Sequence, residues 1–413
     1  MPTRIDLTEG GTGVEVRLSE PQAQALRGTG YVSVDPAWGD GWLVTPKSVI
    51  GSFAIDGVEV HVVPKLPIAR LLFLLGYATH DTFWQLSSVE FDDAGGLVSA
   101  MADAFVRQAD RAVAHGLLQG YRVRRESAPT VRGRLLVAEQ VTRRYGMAVP
   151  VEVIYDDYDV DIPENQILAA ATRALLRVPG VRRQARQRLA HLGRTLAEVS
   201  VPAPGAPIPT WTRSRLNTRY HSALAMAELV LRATSIEAGG RGTRATGFVV
   251  VMSTLFETFV TDALRVALLE RAGGVISGQD RWTLDEGSTI PVRPDIVWYP
   301  PGARGRSVDG SAAGAVIDAK YKAERPSGFP NADLYQMLAY CTVAGLDIGH
   351  LVYAKGQTEP REVQVSRGGV TLVQHALDLA AEPDALVGQV GNIADAVLAR
   401  ARGVEEYDSG EVG

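Results

Sequence analysis

The spacing of hydrophobic and polar positions changes several times along the chain. Alternation over "GVEVRLS" (13–19), "GYVSVDP" (30–36) and "SFAIDGVEVHVVPKL" (52–66) predicts strands, and Asp56-Gly57 is typical of a tight hairpin turn. Helical spacing follows in "IARLLFLLGYA" (68–78) and over residues 96–117. Residues 120–137, "GYRVRRESAPTVRGRLLV", predict a basic hairpin that turns near residues 127–129. Together these patterns predict a β-rich N-terminal domain over residues 1–150.

A mainly helical segment is predicted over residues 151–239. It opens at "DIPENQILAAATRALLRV" (161–178), where Asp161 can cap a helix and Pro163 fits the first turn. An Arg-rich helix over 181–196 and a further helix over 218–234 follow. The four prolines of residues 201–209 predict a stiff connector between them.

Residues 240–403 alternate between helical and strand patterns. The order is a helix (253–274), strands (290–300 and 315–322), a helix (331–345) and a strand (348–355). This order predicts an α/β core, so the fold class expected for the whole chain is α/β and multidomain. Residues 404–413 are acidic and predict a flexible tail.

Length and composition exclude several classes of protein. At about 150 residues per domain, 413 residues suggest two or three domains. The single cysteine, Cys341, excludes an intrachain disulfide framework and a cysteine-rich zinc site. The apolar run at 71–78 is far shorter than the roughly 20 residues that a membrane span needs, and the N-terminus has no secretory signal pattern. We therefore expect a cytoplasmic protein without a membrane partner.

Charge is distributed unevenly, although the whole chain carries a net charge of −5. Residues 122–244 contain 20 arginines, no lysine and 11 acidic residues, a net charge of +9. A positive surface of this kind can bind DNA phosphates, although solvated helix faces in an Arg-rich chain explain any one arginine equally well. The candidate DNA-binding residues are Arg124, Arg132, Arg134, Arg182, Arg183 and Arg186.

The chemistry-bearing stretch is "VIDAKYK" at 316–322. Side chains alternate along a strand, so Asp318 and Lys320 share one face. Asp295, in "RPDIVW", lies on the preceding strand, and an antiparallel hairpin would bring the two carboxylates together. With the carbonyl of Ala319 they form an oxygen shell suited to Mg²⁺, and Lys320 can orient or help deprotonate a water. This pattern predicts phosphodiester hydrolysis, and a structural ion pair at the edge of a strand is the alternative.

The surrounding residues add weaker signals. Asp318-x-Lys320 is the only D/E-x-K in the chain. Glu257, on the preceding helix, is a further candidate to bind the metal directly or to lie beside its ligands. The alternative is that it is a solvent-facing helix residue. Gln336 and Tyr340 lie on one helix face and can hydrogen-bond the site or DNA, or else Tyr340 packs in the core. The histidines show no ligand spacing, and the chain has no phosphate-cradling Gly-x4-Gly-Lys-Ser/Thr motif, so we expect it to bind no nucleotide.

An ordered set of motifs resembles the McrC family, the nuclease subunit of McrBC-type modification-dependent (type IV) restriction systems. The set is "LLFLLGYA", "GLLQGYRVRRESAPTVRGRL", "DIPENQIL", "NTRYHSALAMAELVL", "STLFETFV", "RPDIVW", "VIDAKYK" and "DLYQMLAY". The resemblance implies a C-terminal PD-(D/E)xK restriction-endonuclease-like domain. In it, Asp295, Asp318 and Lys320 match the catalytic trio, Glu257 matches a helix carboxylate, and Gln336 with Tyr340 matches a Q-x3-Y element.

The resemblance also implies a partner, a hexameric McrB-like AAA+ GTPase into which the N-terminal part of the chain docks. The expected function is that of a Mg²⁺-dependent endonuclease subunit that cleaves modified double-stranded DNA and stimulates the motor. Two alternatives stay open: a non-catalytic adaptor that activates an AAA+ NTPase and binds DNA, and a stand-alone repair-type nuclease.

Overall fold

The computed structural model describes residues 2–39, 41–77, 96–145, 147–203, 206–234, 245–303, 312–323, 331–355, 360–366 and 369–401. Their helices are α1 Glu20–Thr29, α2 Ile68–Tyr77, α3 Gly96–Val113, α4 Val137–Arg144, α5 Pro163–Arg177, α6 Arg183–Thr195, α7 His221–Thr234, α8 Met252–Ala272, α9 Asn331–Ala344 and α10 Pro383–Leu398.

Their strands are β1 Thr3–Thr8, β2 Val14–Val16, β3 Val32–Pro36, β4 Trp42–Pro46, β5 Val49–Ile55, β6 Val58–Val63, β7 Gly120–Ala128, β8 Arg134–Leu135, β9 Val151–Asp159, β10 Thr246–Val251, β11 Val275–Gly278, β12 Trp282–Thr283, β13 Pro291–Val292, β14 Ile296–Tyr299, β15 Ala315–Ala323, β16 Ile348–Lys355, β17 Arg361–Gln364 and β18 Thr371–Ala376.

The chain forms two compact units, and their limits differ from the predicted domain boundaries. The N-terminal unit comprises Met1–Val63 with Val89–Val249, and the C-terminal unit comprises Pro64–Ser88 with Val250–Gly413. The predicted β-rich and helical segments therefore belong to one unit. Helix α2 belongs to the C-terminal unit because its aromatic side chains pack on α8. The ring centroids of Phe73 and Tyr77 lie 6.0 and 5.1 Å from that of Phe259. The boundary predicted at residue 240 and the predicted tail lie outside the described residues.

The N-terminal unit begins with strands, of which β2, β3, β5 and β6 overlap the predicted stretches, whereas β1 and β4 were not predicted. Among the described residues, β1, β6, β5 and β10 form a four-stranded sheet in that order, and β2, β4 and β3 form a three-stranded sheet. The hairpin predicted at Asp56-Gly57 is confirmed: both residues have positive φ, and Ile55 pairs with Val58 across the turn. Helix α1 and these strands share a core that includes Ala23, Leu26 and Phe53.

The prediction of a basic hairpin over residues 120–137 is wrong. In the described structure β7 and β8 do not pair with each other, because β9 lies between them and pairs antiparallel with both. Opposite charges on facing strands stabilise a sheet, and β9 supplies acidic partners for the arginines of β7. Arg122 pairs in register with Asp157, and Arg124 forms ion pairs with Asp157 and Asp159.

The predicted capping role of Asp161 is also wrong. Ile162 is the N-cap of α5, and no described side chain caps that end, although Pro163 occupies the first turn as predicted. Asp161 instead accepts hydrogen bonds from Gln166 and Ser200 and forms an ion pair with Arg122. Burial opposes the charged form, but these hydrogen bonds lower the pKa of Asp161 to about 2.

The C-terminal unit has the predicted order of helix, hairpin, helix and strand. Its described residues form a six-stranded sheet in the order β11-β14-β15-β16-β18-β17. The β14–β15 pair is antiparallel, whereas β15, β16 and β18 run parallel. Helix α8 packs on β15, α9 packs on β15 and β16, and α10 packs on α8. Within the described ranges, no helix is both long and apolar enough to span a bilayer.

A buried pair of histidines links two central strands of this sheet. His350 of β16 and His375 of β18 are 1% and 2% exposed, and their Nδ1 and Nε2 atoms lie 3.1 Å apart. One ring donates and the other accepts, so the contact requires at least one neutral imidazole. Burial lowers the pKa of His375 to about 4 and the pKa of His350 well below its ordinary value.

We therefore expect the C-terminal unit to lose stability in weak acid. The unfolded chain binds protons below its ordinary histidine pKa of 6.5, whereas folded His375 does so only near 4, so stability is full above pH 6.5 and falls toward pH 4. From His375 alone, the loss should be roughly 2–3 kcal/mol. Urea unfolding followed by tryptophan fluorescence should show this slope in the wild type and a flatter one in His375→Gln. The exposed-histidine control His191→Gln should keep the wild-type slope, and an unchanged slope in His375→Gln would contradict the assignment.

Candidate functional site

The hairpin of β14 and β15 brings two acidic residues together at the end of a strand pair. Ile296 pairs with Ile317, and Asp295 and Asp318 lie one residue beyond this pair on their respective strands. The backbone N–H of Ala319 donates to Asp295 Oδ2 at 2.9 Å, which fixes the Asp295 carboxylate beside β15. Because the N–H and C=O of one strand residue face the same edge, the Ala319 carbonyl faces Asp295 as well.

Asp318 is a carboxylate in the protein interior. Its side chain is 1% exposed. Lys320 forms a close ion pair with it, with Nζ 2.5 Å from Oδ2, whereas Oδ1 has no hydrogen-bond partner among the described residues. Burial, and then the charge of Asp295, raise the pKa of Asp318 to about 7, while Lys320 opposes the shift.

Lys320 lies beside Asp318 because the two residues are two apart on one strand. Its side chain is 16% exposed. Burial opposes the charged form of Lys320, but the neighbouring carboxylates, Asp318 first among them, raise its pKa above the ordinary value. Lys320 is therefore an ammonium group at neutral pH, which suits it to stabilise negative charge or orient a water rather than to remove a proton.

Glu257 lies on α8 and is half-buried. Burial raises the pKa of its carboxyl, the charge of Asp295 raises it further, and Lys320 lowers it. Glu257 therefore lies within electrostatic range of the strand residues rather than on a fully solvated helix face. No direct bond joins it to Asp295 or Asp318 among the contacts of the described residues.

Gln336 and Tyr340 meet on one face of α9, as their spacing predicts. Gln336 Nε2 donates to the Tyr340 hydroxyl at 2.6 Å, and that hydroxyl donates to the carbonyl of Arg293 at 2.7 Å. Tyr340 is 2% exposed, whereas Gln336 is exposed. Burial, and then the charge of Asp318, raise the pKa of Tyr340, so the hydroxyl stays protonated.

Sequence reasoning missed one buried acid near the site, Asp333. It lies in the first turn of α9 and is buried, and it accepts a bond from Lys322 Nζ at 2.7 Å. Its charge also raises the pKa of Lys320. The signal was present in the spacing, because Asp333, Gln336 and Tyr340 are three and seven residues apart and share one helix face.

The donor set fits a hard divalent cation. Mg²⁺ is held in proteins by one or two carboxylates together with waters and substrate phosphates. Asp318 supplies a buried oxygen without a hydrogen-bond partner among the described residues, and the charge of Asp295 acts on it. The Ala319 carbonyl faces the same strand edge as the N–H that binds Asp295. Within the described residues, no three His, Cys, Asp or Glu side chains are already grouped as a metal site. The site therefore depends on two carboxylates and a backbone oxygen.

A small cavity of about 270 Å³ lies elsewhere in the C-terminal unit. Its walls are mostly apolar and are formed by Gly274, Val275 and residues 299–303. None of the predicted site residues lines it. Its lining has no acid, histidine or lysine, and the hydroxyl of the lining residue Tyr299 donates to Asp280, so the hairpin end remains the candidate site.

The predicted DNA-binding arginines lie in the N-terminal unit, and three of them make defined intramolecular contacts. Arg124 is paired with the carboxylates of β9, and Arg132 forms an ion pair with Asp157 and stacks 4.3 Å over the Tyr155 ring. Arg186 donates to two carbonyls at the C-terminal end of α5.

The other three differ in exposure. Arg134 and Arg183 are exposed, and Arg182 is half-buried with its backbone N–H bonded to Ser99. A carboxylate-paired arginine contributes less field to a phosphate, so the exposed arginines are the better candidates.

One family model matches most of the chain. A family model of the McrBC 5-methylcytosine restriction system component matches residues 44–354. A chain from a half-complex of the tetradecameric assembly of Thermococcus gammatolerans McrB AAA+ hexamers with bound McrC has the same fold. Its TM-score is 0.59 at 18% identity, over 95% of this chain and 100% of that one.

A chain of the Thermococcus gammatolerans McrBC complex also matches, with a TM-score of 0.38 at 18% identity, over 64% of this chain and 88% of that one, which is too low to bear on the fold. No curated protein sequence matches.

Arg186 is expected to stabilise the fold. Its guanidinium bonds the Leu176 carbonyl at 2.7 Å and the Val178 carbonyl at 3.2 Å, which satisfies groups that a helix end leaves open. Arg186→Ala should lower the free energy of unfolding by about 1–2 kcal/mol. Arg183→Ala removes an exposed side chain from the same helix and should change it by less than about 0.5 kcal/mol. Equal values in urea unfolding would contradict the structural role of Arg186.

Proposed function

The chain belongs to the family of McrBC 5-methylcytosine restriction system components, and from that premise we propose that it is the Mg²⁺-dependent endonuclease subunit of a McrBC-like complex. Its substrate is modified double-stranded DNA. The observation that carries this proposal is the convergence of Asp295, Asp318 and the Lys320 ammonium at one end of the β14–β15 hairpin. This convergence supports the proposal that the C-terminal unit is a PD-(D/E)xK nuclease.

Each residue of the trio has a distinct part in phosphodiester hydrolysis. Asp318 and Asp295 would hold the cation, with the Ala319 carbonyl as a further oxygen. The bound Mg²⁺ supplies Lewis acidity toward the scissile phosphate and lowers the pKa of a bound water. Ala319 keeps Asp295 oriented through its N–H, so that carboxylate does not have to be ordered when substrate arrives.

Lys320 provides positive charge at the reacting phosphate. Its raised pKa keeps it an ammonium, so its part is to orient a water and to stabilise the charge that develops on the phosphate oxygens. The Asp318 carboxylate, 2.5 Å from Nζ, holds the ammonium in place.

The burial of Asp318 favours a nuclease over a non-catalytic adaptor. A buried carboxylate with a raised pKa lowers folding stability, and an apolar residue of similar size would avoid that loss. An adaptor gains nothing from such a group. A stand-alone repair nuclease would share the site, and it differs from the proposed subunit in cutting DNA without a motor.

The nuclease proposal predicts separate effects on cutting and on the motor. In the complex with its McrB-like partner, Lys320→Met should reduce cleavage of methylated DNA by roughly 100-fold or more, because it removes the charge at the phosphate. GTP hydrolysis by the partner should stay at the wild-type level, since the site contributes nothing to it. Gel-based cleavage and phosphate-release assays measure the two activities on the same preparation.

Lys47→Met is the control for the loss of a lysine. Lys47 is exposed and belongs to the N-terminal unit, whereas the trio belongs to the C-terminal unit, so cutting should persist. Cleavage by Lys320→Met equal to that of the wild type would remove the nuclease assignment and leave the adaptor. Cutting by the chain alone would favour the stand-alone nuclease.

We also propose that an AAA+ GTPase hexamer of the McrB type is the partner and that α4 contributes to the docking surface. In this helix the usual orientation of polar and apolar side chains is reversed. Its polar residues Gln140 and Arg144 bond to Glu152 of β9, whereas Val137, Val141 and Tyr145, four residues apart in turn, form an exposed apolar stripe. Val137 and Val141 are 62% and 63% exposed.

Burying this stripe against the motor would remove it from water, which is the driving force for most protein association. Exposed tyrosines Tyr121 and Tyr158 form a ring pair at the other end of the β7–β9 strand pair and are not part of this stripe. An exposed apolar stripe such as that of α4 is typical of interaction sites.

Charge on the apolar stripe should uncouple the chain from its motor. The double variant Val137→Asp/Val141→Asp should weaken motor binding at least about tenfold and lower GTPase stimulation in proportion. Its melting temperature should be unchanged, because both side chains are exposed. Val266→Asp, an exposed valine of α8, is the control and should bind normally. Wild-type stimulation by the double variant would place the docking surface elsewhere.

A further inference from the structure

The hydroxyl of Tyr340 connects α9 to the segment that carries Asp295. It accepts a bond from Gln336 Nε2 at 2.6 Å and donates one to the Arg293 carbonyl at 2.7 Å. The ring is 2% exposed and packs in the core of the C-terminal unit with Met337 and Cys341. The position of the hydroxyl is thus set by the core on one side and by Gln336 on the other.

The bonded carbonyl lies two residues before Asp295, and the residue between them is a proline. The ring of Pro294 fixes its own φ near −65°, so the chain from Arg293 to Asp295 has little freedom once the Arg293 carbonyl is anchored. At the other end of the segment, the Asp295 carboxylate accepts from the Ala319 N–H at 2.9 Å. Asp295 is therefore held through its preceding backbone and through its side chain.

We propose that Tyr340 is a positioning residue, oriented by Gln336, which fixes the Asp295 carboxylate for binding of a divalent cation without touching the cation or DNA. This inference rests on the proposed function and names how one of its ligands is held. Groups behind a metal ligand that set its orientation affect metal affinity strongly, although they make no bond to the ion.

A direct contact of Tyr340 with DNA is disfavoured by its hydrogen bonds. A phosphate only accepts hydrogen bonds, and a tyrosine hydroxyl has one proton to donate. That proton is already committed to the Arg293 carbonyl. Binding a phosphate would break this bond and leave the Arg293 carbonyl without its partner.

The test compares Tyr340→Phe with the wild-type chain. The substitution keeps the ring and deletes the one oxygen that bonds Arg293, so the fold should be retained. Calorimetric titration with Mn²⁺ should show metal affinity reduced by roughly 10- to 100-fold. In the complex, half-maximal cleavage should need a correspondingly higher Mg²⁺ concentration. DNA affinity measured without divalent cations should equal that of the wild type.

Two further variants sharpen the comparison. Gln336→Glu replaces the donor with an acceptor, which draws the Tyr340 proton away from Arg293 and should weaken metal binding in the same way. Tyr335→Phe deletes a hydroxyl from an exposed tyrosine of the same helix and should leave metal affinity unchanged.

The outcomes separate this inference from the function on which it rests. If Asp295→Asn weakens metal binding and Tyr340→Phe does not, the positioning role is overturned and the metal site stands. A lower melting temperature or lower DNA affinity in Tyr340→Phe, with unchanged metal affinity, overturns it as well. If Asp295→Asn has no effect on metal affinity, the proposed metal site fails, and the inference falls with it.

Discussion

The charge of Asp318 inside the C-terminal unit is the constraint on which the candidate site depends. A buried carboxylate is tolerated only when a cation or hydrogen bonds compensate it, and among the described residues the compensating cation is Lys320, 2.5 Å away. Asp295 does not compensate the charge of Asp318, because its own negative charge raises the pKa of Asp318 further. The site thus has more negative than positive charge in a region of low dielectric, which is the condition under which a divalent cation binds favourably.

Helix α9 holds the parts of this site in register. One side of the helix carries Asp333, Gln336 and Tyr340, which lie three and four residues apart in turn; Asp333 and Tyr340 are buried and Gln336 is exposed. Asp333 binds Lys322 at the far end of β15, and Tyr340 binds the backbone just before Asp295. One rigid helix therefore fixes both the strand that carries Lys320 and the segment that carries Asp295. Sites built on regular elements in this way keep their geometry better than sites on loops.

Sequence reasoning succeeded where the determining interactions are local. Strand alternation placed Asp318 beside Lys320, and the Asp56-Gly57 turn defined a hairpin, because both depend on neighbours in the chain. It was wrong where a distant segment competes. Residues 120–137 carry the signals of a hairpin, but acidic β9 pairs with β7 instead. Asp161 is a residue type that often caps helices, but here it binds Arg122 and Ser200 instead. A pattern of neighbouring residues does not show which distant residues will pair with them.

The two candidate functional surfaces share one physical feature, an inversion of the normal distribution of polar and apolar groups. In the C-terminal unit a carboxylate lies in the interior, and in the N-terminal unit α4 turns its valines outward and its polar side chains toward β9. Each inversion lowers the stability of the isolated chain, since one leaves a charge poorly solvated and the other leaves apolar surface in water. Each is relieved by binding, of a cation in the first case and of a protein surface in the second. Departures from the rules that make a sequence fold are expected where a protein binds something else.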